Sequence, residues 1–201
     1  MEELFLVSYT AHYCLPAAST TNFTLTTNAP YFEVEDDVNR ELVLHNAVGV
    51  GMARFSNPKQ LQLTIVNYDK FLTSLSKSFQ NGKQRCDLIL SSDSNEYFIL
   101  GELKDRIPNG KVRKGAKDQL IASLGIILKV VEIAHLASSK TTKRCCYFNK
   151  QSKAPTIISA VSAFNRLASL YVAGFQMSCP DIEALGFDFY EYTGHQTVQL
   201  S

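Results

Sequence analysis

Apolar and polar residues alternate along "QLQLTIVNY" (60–68), the period-two pattern of a half-buried strand. The rhythm then changes. "YDKFLTSLSKSFQNG" (68–82) has apolar residues at 68, 71, 72, 75 and 79, a helical spacing closed by Gly82. In "RCDLILSSDSNEYFILGELKDR" (85–106), two apolar runs around a polar turn predict a hairpin. "KVRKGAKDQLIASLGIILKVVEIAHLASS" predicts one long helix over about 112–138, basic at its start and then apolar almost all round, as in a helix buried between layers. "KRCCYFNK" follows as a strand over 144–149, and "PTIISAVSAFNRLASLYVAGF" as a second apolar helix from Pro155 to Gly174. "FDFYEYTGHQTVQLS" reads as a terminal hairpin or two edge strands around Thr193-Gly194. Upstream, "EELFLVSYT" reads as a strand, and "STTNFTLTTNAP" as β-prone and loop-like. "YFEVEDDVNRELVLHNAVGVG" reads as a helix over about 36–47, with acids in its first turn and Gly49 and Gly51 after it. A strand, a buried crossover helix and another strand form a βαβ unit, so 96–104 and 144–149 should be parallel neighbours. The expected architecture is an α/β mixed sheet with helices on both faces.

Charge within the hairpin is unexpected, because apolar strands exclude it from inward positions. Residues two apart on a strand share a face, so Glu102 and Lys104 point the same way as Leu100 and Phe98. If Ser92–Asn95 is a four-residue loop, Ser91 faces Glu96, Leu90 faces Tyr97 and Asp87 faces Leu100. Asp87 is then the diagonal neighbour of Glu102, about 7–8 Å away. A one-residue slip would send it to the other face.

Two unpaired acids that close repel, and one stays protonated unless a cation joins them. Mg²⁺ (or Mn²⁺) suits the pair, because it takes oxygen ligands and commonly binds one or two carboxylates plus substrate phosphates. Lys104 would supply a mobile point charge for a phosphate or an attacking water. Such a set belongs to metal-assisted phosphodiester hydrolysis. The plainer alternative has Asp87 capping a turn or pairing with Arg85, and Glu102 and Lys104 as charges at a strand end.

Asp87, fourteen residues, then Glu102-Leu103-Lys104 resembles the PD-(D/E)xK nuclease superfamily, which includes restriction endonucleases and Holliday-junction resolvases. The resemblance covers about 36–149 and leaves 150–201 as a C-terminal extension within a single domain 1–201. It implies a restriction-endonuclease-like αβββαβ core with C-terminal helix and strand additions. It also implies Asp87 and Glu102 as metal ligands and Lys104 as the group assisting the water or the scissile phosphate. Many members add a glutamate from the first helix, for which Glu41 is the best placed match and Glu35 the alternative. Some carry a glutamine on the helix after ExK, matched here by Gln119. The chain departs from the pattern in having Cys86 where many members have proline, and in the helix inserted at about 68–80.

Composition adds a partner class. The 201 residues are 45% hydrophobic and 19% charged, an ordinary globular balance. Net charge is +1, yet residues 1–50 carry seven acids and one base (−6), and residues 104–153 twelve bases and three acids (+9). That asymmetry points to a polyanion-binding face. Arg106, Lys111, Arg113, Lys114, Lys117, Lys143, Arg144 and Lys150 would hold a nucleic-acid backbone, DNA rather than RNA. No apolar run has the length of a membrane span, and the acidic start is unlike a signal peptide. Five cysteines without a CxxC pair fit a reducing, cytoplasmic setting. Scattered histidines exclude a zinc motif, and neither a phosphate loop nor GxSxG occurs. A rival reading is a nuclease-like module that no longer cleaves and serves nucleic-acid or protein binding. A homodimer is left open.

Overall fold

A computed structural model describes residues 1–19, 22–37, 39, 41–75, 79, 83–151 and 174–201. The helix expected over 155–174 therefore falls outside the described residues, apart from Gly174 itself. The protein is mixed α/β, built on two sheets.

The larger sheet has seven strands. Its spatial order is β1 (Thr24–Thr27), β5 (Leu63–Asn67), β6 (Leu88–Ser92), β7 (Tyr97–Lys104), β8 (Thr142–Asn149), β10 (Asp188–Thr193) and β9 (Phe175–Met177). β5, β6 and β7 are antiparallel, whereas β7 and β8 are parallel, as the βαβ expectation requires. The crossover between them contains α3 (Gly110–Ile127) and α4 (Val131–Ser138), bent by 112° at the junction. α3 starts at Asn109, whose side chain accepts the Val112 N–H at 3.0 Å, an N-cap. It buries Ala116, Leu120, Leu124 and Ile127, one stripe at helical spacing. The expected single helix is thus two. The run was apolar all round because each segment turns a different side inward, and no proline marks the break at 128–130.

One face of this sheet is covered by α2 (Tyr68–Thr73), α3, α4, α5 (Pro180–Glu183) and an N-terminal helix. The latter is π-wound over Leu4–Tyr9 and continues as α1 (Thr10–His12). The strand expected at the N-terminus is overturned: Phe5 and Tyr9 are both fully buried, a spacing of four that only a helix aligns. Both rings pack on Phe71, and the Tyr9 hydroxyl meets that of Tyr68 at 3.0 Å.

The other face carries a second sheet where helices were expected. Its order is β11 (Val198–Gln199), β4 (Ala53–Ser56), β2 (Tyr31–Asp36) and β3 (Leu42–His45). Phe32, Val34 and Phe55 pack from it onto Leu63, Ile65, Leu88, Ile99 and Phe148 of the large sheet. The helix expected over 36–47 is the β2–β3 hairpin. Leu42 and Leu44 are two apart, and the acids that looked like a helical first turn make the bend instead. Asp37 accepts the N–H groups of Asn39 (2.8 Å) and Glu41 (2.9 Å) through one carboxylate oxygen. The C-terminal segment is not a hairpin either: β10 lies between β8 and β9, and the turn at Gly194 (φ +60°) carries the chain to β11 in the other sheet. Among the described residues no single helix is long and apolar enough to cross a membrane.

Candidate functional site

The β6–β7 hairpin forms with a four-residue loop at 93–96 rather than 92–95. Its register is Ser91↔Phe98, Leu90↔Ile99, Ile89↔Leu100 and Leu88↔Gly101. Moving the loop by one residue moves the pairing by two. Ser92 fixes the loop, since its Oγ accepts the Tyr97 N–H at 3.0 Å and donates to Ser94 O. The regular ladder ends at Leu88. Asp87 donates its N–H to Gly101 O (3.1 Å), and its carboxylate accepts the Leu103 N–H at 2.6 Å. The aspartate is therefore folded against the end of β7 rather than paired with Leu100.

Asp87, Glu102 and Lys104 meet there. Glu102 is fully buried and its Oε1 is ion-paired with Lys104 Nζ. Its Oε2 is buried and has no hydrogen-bond partner among the described residues. Burial, and secondarily the neighbouring Asp87, pushes the Glu102 carboxyl well above the usual range despite Lys104. Burial raises Asp87 to about 7, against the opposing pull of Lys104 and the Leu103 N–H. Asp36 and Asp69 also act on Asp87, and Asp69 on Glu102. Asp69 had been read only as a first-turn acid of a helix. It is ion-paired with Arg85, so Arg85 serves Asp69 and not Asp87.

Gln119 anchors this region from α3. Its Nε2 donates to Arg85 O at 2.9 Å, while Ser123 Oγ accepts the Cys86 N–H at 2.7 Å and donates to Gln119 O. Together they hold the chain leading into Asp87, a role for Ser123 that its sequence surroundings did not signal. Glu41 lies at the start of β3, not on a helix, and pairs with Lys70 at 2.6 Å. Both line a cavity of about 300 Å³ that Asp69 also borders. Glu35, the alternative, bonds His45 Nε2 at 2.8 Å across the β2–β3 hairpin.

The expected basic face divides in two. Arg106, Lys111 and Lys114 are exposed on the loop and first turns of α3, next to the end of β7. Arg113 is committed to Glu191 through two contacts of 2.8 Å, and Lys117 lies 5.6 Å over the Phe189 ring. Lys150 Nζ donates to Val50 O at 2.7 Å. Lys143 and Arg144 start β8, where Lys143 pairs with Phe98 and so sits at the opposite end of the sheet from Lys104, about 20 Å away. They lie against Phe187 and Tyr190. These two do not join the site.

The donor set was tested against a divalent cation. Among the described residues no group of three or more His, Cys, Asp or Glu side chains is disposed to hold a metal. Asp87 and Glu102 are two carboxylates whose burial and mutual repulsion oppose ionisation, and one oxygen has no donor. That fits a hard cation that keeps several waters and takes its other ligands from a substrate. No protein-family model, curated protein or solved structure matches the chain.

Proposed function

We propose that this protein is a nuclease dependent on Mg²⁺ or Mn²⁺ that hydrolyses phosphodiester bonds in DNA, with a restriction-endonuclease-like core around β5–β8. The observation that carries the reading is the meeting of Asp87, Glu102 and Lys104 at the end of β7, with a buried Glu102 oxygen lacking a donor. Asp87 and Glu102 would hold the ion, which when bound supplies Lewis-acid polarisation of the phosphate and a more acidic water. Lys104, paired with Glu102 in the free protein, would swing its ammonium onto the scissile phosphate. Gln119 and Ser123 keep the Asp87 backbone in position, and Arg106, Lys111 and Lys114 bind flanking phosphates.

A nicking assay on supercoiled DNA tests it. Wild type should cut only with Mg²⁺ or Mn²⁺. Asp87→Asn and Glu102→Gln should abolish cutting, and Lys104→Ala should lower the rate on the order of 10²–10³-fold. The Lys104–Glu102 pair, which closes off one carboxylate oxygen, favours a second reading: a binding module without cleavage. That reading predicts salt-sensitive DNA binding with no nicking under any metal.

A further inference from the structure

A second cavity, of about 330 Å³, opens on the small sheet and is bordered by Tyr31, Val48, Arg54, His195 and Thr197. It is separate from the carboxylate site in residues and chemistry. Its floor is Arg54 on β4, a cation only 4% exposed. Buried guanidinium groups need partners, so the question is what Arg54 serves.

Glu33 on β2 is the obvious answer and an incomplete one. Its fully buried carboxylate accepts the Gly49 N–H (2.8 Å), the Gly51 N–H (2.6 Å) and the Tyr31 hydroxyl. Burial alone would push Glu33 up, but these three donors, with a smaller contribution from Arg54, hold it below the usual range. Glu33 is thus satisfied largely without Arg54. Arg54 Nε approaches Glu33 Oε1 at 3.0 Å yet makes no hydrogen bond and is buried. On the cavity side, Arg54 Nη1 meets His195 Nδ1 at 2.5 Å. A guanidinium only donates, so Nδ1 accepts and the neutral ring carries its proton on Nε2. The Arg54 charge is therefore balanced by a carboxylate already filled by other donors, and its other neighbour is a neutral ring.

We propose that this cavity binds a small organic oxyanion, a carboxylate or phosphate headgroup on an apolar body. The headgroup would lie on the Arg54 guanidinium, whose planar fork matches two oxygens, with the Thr197 hydroxyl beside it. The body would rest on the Tyr31 ring and on Val48, which is 76% exposed at the mouth. A volume of about 330 Å³ falls at the small end of ligand-pocket sizes, which suits one ring and one headgroup.

The test is a titration of the full chain with benzoate, phenyl phosphate and the neutral benzyl alcohol, read by amide chemical shifts. One or both anions should shift Val48, Arg54, His195 and Thr197 signals and saturate, the carboxylate and phosphate arms telling which headgroup is preferred. Benzyl alcohol should bind at least tenfold more weakly. Arg54→Gln should cost tenfold or more. Because that variant removes a buried charge and can unfold the chain, Val48→Glu is the companion: it changes only an exposed residue and sets a like charge at the mouth, so it should weaken the anions severalfold and spare the alcohol. Absence of binding by both anions, equal binding of the alcohol, or unchanged affinity in Val48→Glu would overturn the proposal.

Discussion

Glu102 is an acid with no exposure, one oxygen on Lys104 and the other on nothing, and Asp87 beside it is raised to about 7. A carboxyl whose pKa is higher folded than unfolded favours the native state most at low pH. That advantage is lost as pH climbs from its unfolded value near 4 through its folded value. Without divalent ions the wild type should therefore lose stability between about pH 4 and pH 7. Asp87→Asn keeps an acceptor for the Leu103 N–H and removes the charge. Its melting temperature, relative to wild type, should be more favourable at pH 8 than at pH 5, and Mg²⁺ at pH 8 should raise wild type alone. An equal difference at both pH values would mean that ionising Asp87 costs the fold nothing. These residues were legible in the sequence because charge is out of place in an apolar hairpin. Glu41 was not, since its assignment depended on a helix over 36–47 that the Asp37 turn replaces. Arg54 and Glu33 gave no signal either: an alternating strand reads the same whether its inward charge is paired or not.

At the level of elements, the hairpin shows how far periodicity reaches. It fixed two strands and their polar loop but not which four residues form the loop, because Ser92 satisfies the turn with its side chain. Gly101 is a stricter marker of the register. A Cβ there would lie 2.8 Å from Leu88 Cδ1, 2.9 Å from Leu88 Cγ and 3.1 Å from Phe148 Cε2. Leu88 and Phe148 are fully buried and have nowhere to go. Gly101→Ala should cost about 1–3 kcal/mol in denaturant unfolding, as overpacking does. Gly125→Ala is the control. It sits on α3 with nothing within 4 Å, so it should stabilise by up to about 1 kcal/mol. If both alanines behave alike, the pairing of Leu88 with Gly101 is wrong. The long apolar run split into α3 and α4 for a related reason: composition records that a segment is buried, not how often it turns.

Across the whole molecule, the sequence located positive charge but not its direction, because β8 runs parallel to β7 and carries Lys143 to the far end of the sheet. Exposed cations near the candidate site are reduced to Arg106, Lys111 and Lys114, since Arg113 neutralises the nearly buried Glu191. Each phosphate contact contributes about 0.9 to the slope of log K against log salt on a duplex. Lys111→Glu with Lys114→Glu should therefore lower that slope by about two and weaken DNA binding, with folding unaffected because both side chains face solvent. Lys143→Glu, remote along the sheet, should leave the slope as it is. Arg113→Glu should instead lower thermal stability, because it sets a second negative charge against Glu191. A slope that falls with Lys143→Glu and not with the helix pair would put the polyanion at the opposite end of the sheet, away from Asp87 and Glu102. The two carboxylates would then need another substrate.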